Sequence, residues 1–268
     1  MQTRNYVSPA ACVPFLLALS MMLRAQSGLA DKGASDLDVS ALRSQLRWKD
    51  EATKLNYLAN KRAVTEELLR AIDSFVEQTY GPAGVTPGQI AKGVDSLVGR
   101  SSSEIGSAVA LGAQLSRGKF LVLAVEVPRG GTAIPEDIVS FRAYTIADGS
   151  ASLVSHLELE REFLVDLHIL PLPSAFPDSI GLIAWADLPP LTPFSLIVRV
   201  LNFDGESFRV VWEPTDFITG NVQSFVALTS VGFDLNTLNS RWTTKVLQRY
   251  TISSGTVEKL EEIDLGPR

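Results

Sequence analysis

The chain reads as an α+β protein, an N-terminal helical segment followed by an antiparallel all-β barrel or sandwich of roughly ten short strands. Three observations lead there. Residues 35–80 contain neither glycine nor proline, and Leu68, Leu69, Ile72, Phe75 and Val76 recur at helical spacing. From about residue 105 to 263 the pattern changes to β-branched and aromatic runs broken by frequent glycine-containing turns. Nothing repeats at a fixed period, which argues against a propeller or solenoid.

Taken in order, residues 1–30 have the layout of a secretory signal peptide: Arg4 gives a positive start, residues 10–23 are apolar except for Pro14 and Ser20, and "LRAQSGLA" is a small-residue exit. Cleavage is expected after Ala25 or Ala30. The apolar run is shorter than the ~20 residues of a membrane-spanning helix, so no span is expected once the leader is removed. Cys12, the one cysteine, lies at the start of the apolar run rather than just after it, which speaks against a lipid anchor. The mature chain then has no cysteine and no disulfide, so its stability must come from its core. Without Arg4 and Arg24 it carries 22 basic against 30 acidic residues, a net charge of −8. Such a chain is a poor partner for nucleic acid or anionic lipid, whose binding relies on clustered Lys and Arg.

A helical segment is expected over residues 31–100. Its pattern is poor from 47 to 54, which predicts a break or a solvated stretch, and "GPAG" at 81–84 stops it. A further helix opens at "VTPGQI": Thr86 caps, Pro87 fits the first turn, Gln89 reaches back, and Val85 with Ile90 forms an apolar staple. It should end at Gly99, with "RSSSE" as a linker into the β domain at 101–268.

Within that domain "KFLVLAVEV" is apolar on both faces and predicts a central strand. "DIVSFRAYTI", "ASLVSHLELE", "GLIAWADL", "FSLIVRVLN", "VQSFVALT" and "KVLQRYTI" predict further strands. "SRG", "ADG", "FDG", "SVG" and "SSG" predict turns, with proline-rich crossings at 171–177 and 189–193. In "NFDGESFRVVWEP", a three-residue loop of Phe203, Asp204 and a left-handed Gly205 sets Leu196, Val198 and Val200 opposite Trp212, Val210 and Phe208 on one apolar face. A calcium loop would need oxygen ligands where Val200 and Val211 stand.

Motifs for a reaction are scarce. "SRGK" at 116–119 leads into a strand rather than one helical turn, "PRGGT" at 128–132 has no helix after it to bind phosphate, and no nucleophile elbow, zincin or P-loop pattern occurs. The two histidines form the one candidate constellation. In residues 153–169 the odd positions Leu153, Leu157, Leu159, Phe163, Val165, Leu167 and Ile169 are apolar, whereas His156, Glu158, Glu160, Glu162, Asp166 and His168 share the even face. A turn near Arg161 would set His156 opposite Asp166 or His168, close enough for both rings and Asp166 or Glu158 to hold zinc. A continuous strand would instead hold the histidines ~40 Å apart.

The sequence therefore predicts an exported protein, periplasmic or secreted, acting as a non-catalytic binding or structural module with no cofactor. Two alternatives stand beside it. One is a zinc-dependent hydrolase centred on His156, His168 and Asp166 or Glu158. The other is an assembly component that pairs with a protein partner through the helices within 36–80.

Overall fold

The computed structural model describes residues 38–80, 84–99, 108–131, 138–160, 165–172, 176, 178–187, 195–214, 218–219, 225–238 and 243–267. The leader at 1–30 and its cleavage sites, the linker at 100–104, the turn at 161–164 and most of both proline-rich crossings lie outside the described residues.

Helix α1 (Val39–Gln45) is short and capped by the Asp38 side chain. The expected break follows it as β1 (Arg47–Trp48). Helix α2 (Glu51–Thr79) restarts at Asp50, whose carboxylate accepts from the Thr53 amide in a capping box. Helix α3 (Pro87–Val98) has the predicted Thr86 and Gln89 box, Pro87 in its first turn, and Gly99 left-handed at φ 85°. Ile90 is sealed in the core with Val85 packed beside it.

The strands form stacked antiparallel sheets. The first holds β2 (Ala108–Leu115), β3 (Gly118–Val127), β5 (Ile138–Ala147) and β6 (Ser150–Glu160) in the order 2-3-5-6. The second holds β7 (Val165–Leu172), β8 (Ile180–Asp187), β9 (Ser195–Phe203) and β10 (Phe208–Trp212) in the order 10-9-8-7, with β11 (Ile218–Thr219) also on β9. The third is β12 (Phe225–Leu228), β13 (Gly232–Leu238), β14 (Thr244–Ser253) and β15 (Thr256–Pro267) in chain order. Each runs from edge to edge, so among the described residues no barrel closes.

Three apolar clusters hold four layers together. The helices cover the first sheet through Leu68, Ile72, Val76, Ile90 and Val94 against Leu121, Leu123, Val125 and Tyr144. The other face of that sheet, with Phe120, Val122 and Phe141, meets Leu182, Leu201 and Phe203 of the second. The second sheet's far face, with Ile183, Val198 and Val200, meets Phe233, Leu235 and Tyr250 of the third. Strand β3 is thus buried on both faces, as its unbroken apolar run predicted.

Two-residue turns join three pairs of strands: Ser116 and Arg117, Asp148 and Gly149, Ser254 and Gly255. In the second and third both residues have positive φ, the backbone that matches strand twist. The glycines of "PRGGT" serve packing. β4 (Gly130–Gly131) pairs in parallel with β1, and a Cβ on Gly131 would meet the Trp48 ring at 2.7 Å.

The 196–212 hairpin departs from expectation. Its loop has four residues, with Phe208 opposite Phe203 and Val210 opposite Leu201. The Asp204 carboxylate closes it by accepting from the Glu206 and Ser207 amides at 2.9 and 2.8 Å. Gly205 is left-handed as predicted, at φ 91°. Phe208 faces the first sheet, and an irregularity between Val210 and Trp212 turns Val211 and Trp212 toward the third. The predicted facing assumed a single apolar face. This sheet buries both, so alternation could not select the register.

Candidate functional site

The described polar residues converge most densely where α2 lies on β5 and β6. Residues 138–144 alternate, with Val139, Phe141 and Ala143 facing the second sheet, which leaves Ser140, Arg142 and Tyr144 to face the helices. Register then sets Ser140 opposite Glu158 and Arg142 opposite His156. Helix α2 supplies Asp73 from the turn that buries Ile72.

The Arg142 guanidinium grips the Asp73 carboxylate at both oxygens, with Nε to Oδ1 at 2.6 Å and Nη2 donating to Oδ2. Its Nη1 reaches Ser140 Oγ at 3.1 Å and Glu158 Oε1 at 3.2 Å. Tyr144 donates its hydroxyl to Asp73 Oδ1 at 2.7 Å. One turn along, Glu77 accepts from the Leu153 amide of β6 at 3.2 Å. The Arg142 side chain is 5 % exposed and that of His156 54 %, so the cluster runs from a dry interior to a wet rim.

Burial works against the Arg142 charge, yet the Asp73 carboxylate more than offsets it and holds the guanidinium above its ordinary pKa. Burial pushes the Tyr144 hydroxyl far above the usual phenol range, with the Asp73 charge adding to it. Both groups are held in the protonation state that makes these bonds. Ser140 is fully buried and its hydroxyl faces Glu158 at 3.3 Å, so it is not presented as a nucleophile.

The predicted metal residues divide. His156 and Glu158 meet, with Nδ1 3.0 Å from both carboxylate oxygens, and Glu158 is shared with Arg142. His168 lies opposite Trp185 in the β7–β8 ladder, while the side chains of Asp166 and His168 lie outside the described residues. The hairpin expected near Arg161 is not the arrangement observed. Strands β6 and β7 belong to different sheets, and β6 approaches β10, at the opposite edge of the second sheet from β7. The chain crosses between layers here because the apolar side of β6, with Leu157 and Leu159, has the second sheet to cover. Among the described residues no group of three or more His, Cys, Asp or Glu side chains is placed to hold a metal ion.

Sequence reasoning missed Asp73, Arg142 and Tyr144. The available signals were an arginine spaced by two from Ser140 in an otherwise apolar run, and an aspartate beside the buried Ile72. Among the described residues no helix is long and apolar enough to cross a membrane. The chain matches no family model, no curated protein and no solved structure.

Proposed function

We propose that this is an exported, non-catalytic structural or binding module, with its helical layer clamped to a sandwich of sheets and available to a protein partner. One observation carries the non-catalytic reading. The buried part of the cluster that most resembles a reactive site is saturated by its own contacts, because Arg142 directs its donors to Asp73, Ser140 and Glu158 while Tyr144 is committed to Asp73. Reactive sites leave a group open to substrate. Export rests on the leader at 1–30, and mass spectrometry of exported material should find a first residue of Gln26 or Asp31.

The zinc hydrolase is the second reading, favoured by the His156 ring. A carboxylate at Nδ1 sets the tautomer that presents Nε2, the way a metal-bound histidine is commonly oriented. Zinc titration separates the two readings. The module reading expects no change in melting temperature at saturating zinc. A one-equivalent rise, lost in the His156→Ala variant and accompanied by ester hydrolysis, would overturn it.

A further inference from the structure

Helix α2 carries one uninterrupted seam along its length. Glu51, Leu55, Leu58, Arg62, Thr65, Leu69, Ile72 and Val76 are spaced alternately four and three, the repeat by which helices mesh side by side. Its two halves have different fates. Thr65, Leu69, Ile72 and Val76 are buried, with the last three in the cluster that also holds Leu42 of α1 and Ile90 and Val94 of α3. Leu55 is 68 % and Leu58 50 % exposed. They are flanked by the Glu51 and Arg62 side chains at 80 % and 92 %. A seam that is buried over its second half, in the core shared by α1, α3 and the first sheet, is bare over its first.

From this we infer that the bare half takes the same half of a second copy, antiparallel and about a two-fold axis between Asn56 and Tyr57. The charge order selects that occupant. Antiparallel pairing sets Leu55 against the partner's Leu58 and Glu51 against the partner's Arg62, twice over by symmetry. Parallel pairing would set Glu51 against Glu51 and Arg62 against Arg62. Within one chain Lys54 already sits 3.2 Å from Glu51 and Arg62 2.9 Å from Glu66. Each end of the pair therefore becomes a row of alternating sign, from Lys54 and Glu51 to the partner's Arg62 and Glu66. Exposed Ala52 and Ala59 flank the leucines and let the helices approach. So short a seam falls below the ~1,200 Å² of standard interfaces, which makes the pairing reversible and concentration-dependent. It rests on the assembly side of the function proposed above, and it names the partner.

Sedimentation of the purified protein, as the host processes it, tests the pairing. The average mass should rise from monomer toward dimer with concentration. Glu51→Arg alone and Arg62→Glu alone should each stay monomeric, because each puts like charges together at both ends. An equimolar mixture of the two variants should associate again, since only unlike copies then match. Both side chains are solvated, so melting temperatures should fall only slightly, by the lost contacts with Lys54 and Glu66, which separates lost pairing from lost folding. A wild-type protein that stays monomeric up to about millimolar, or one whose association survives either single change, overturns the inference. Neither outcome touches the non-catalytic reading, which the zinc and ester measurements decide.

Discussion

Asp73 shows what a single side chain does here. It receives both prongs of Arg142 and the Tyr144 hydroxyl, and so ties α2 to β5. A buried ion pair is no proof of stability, since a well-packed apolar replacement of both partners can do as well, but removing one partner strands the other. Asp73→Ala should therefore cost ~3–5 kcal/mol, whereas Tyr144→Phe, which removes one bond to a charged acceptor, should cost ~1.5–3 kcal/mol. Urea melts measure both, and equal losses would show that the guanidinium was not the group left stranded. The clamp was hardly legible beforehand because its partners lie 69 and 71 positions apart. Only docking the helix on the sheet brings them together. The His156 and Glu158 contact was legible because alternation on one strand places both on the same face.

Between elements, packing decides more than propensity. Gly93 of α3 sits against Phe75 of α2, where an added Cβ would overlap the ring at Cζ. Gly88 in the same helix has nothing within 4 Å of such an atom. Alanine improves a helix interior by ~1 kcal/mol over glycine, but overfilling a tight contact costs ~1–3 kcal/mol. Gly93→Ala should lower the melting temperature, whereas Gly88→Ala should hold or slightly raise it. A rise for both would mean that the helices part more easily than this contact implies. Helix ends were readable because a cap is local chemistry: Thr86 with Gln89, and left-handed Gly99. The 203–208 register was not, because Phe203 and Val200 are buried on opposite faces of one strand.

At the scale of the whole molecule, pH should act through carboxylates that fold into donors. The Thr53 amide lowers the pKa of Asp50, the Ser116 hydroxyl that of Asp178, the Ser207 amide that of Asp204, and the Lys259 ammonium that of Glu262. Unfolded, these groups take protons more readily, so their contribution is complete above the ordinary carboxylate range near ~4 and is lost as pH falls through the lower folded values. Tyr144 and Tyr250 are raised by burial. Their contribution is complete below the ordinary phenol value near ~10 and is lost as pH climbs above it. Denaturant midpoints should be level between these limits and drop outside them, and a midpoint unchanged from pH 6 to 3 would sink the acid limb. The α+β class and the central place of β3 were legible in composition and alternation. The division into three stacked sheets was not, because it depends on which strands share a face across long separations. That stacking has a further consequence for β3. With helices over one face and a sheet over the other, its amides have no local route to solvent, so deuterium should reach them only when the whole molecule opens, long after it has labelled the exposed strand β15.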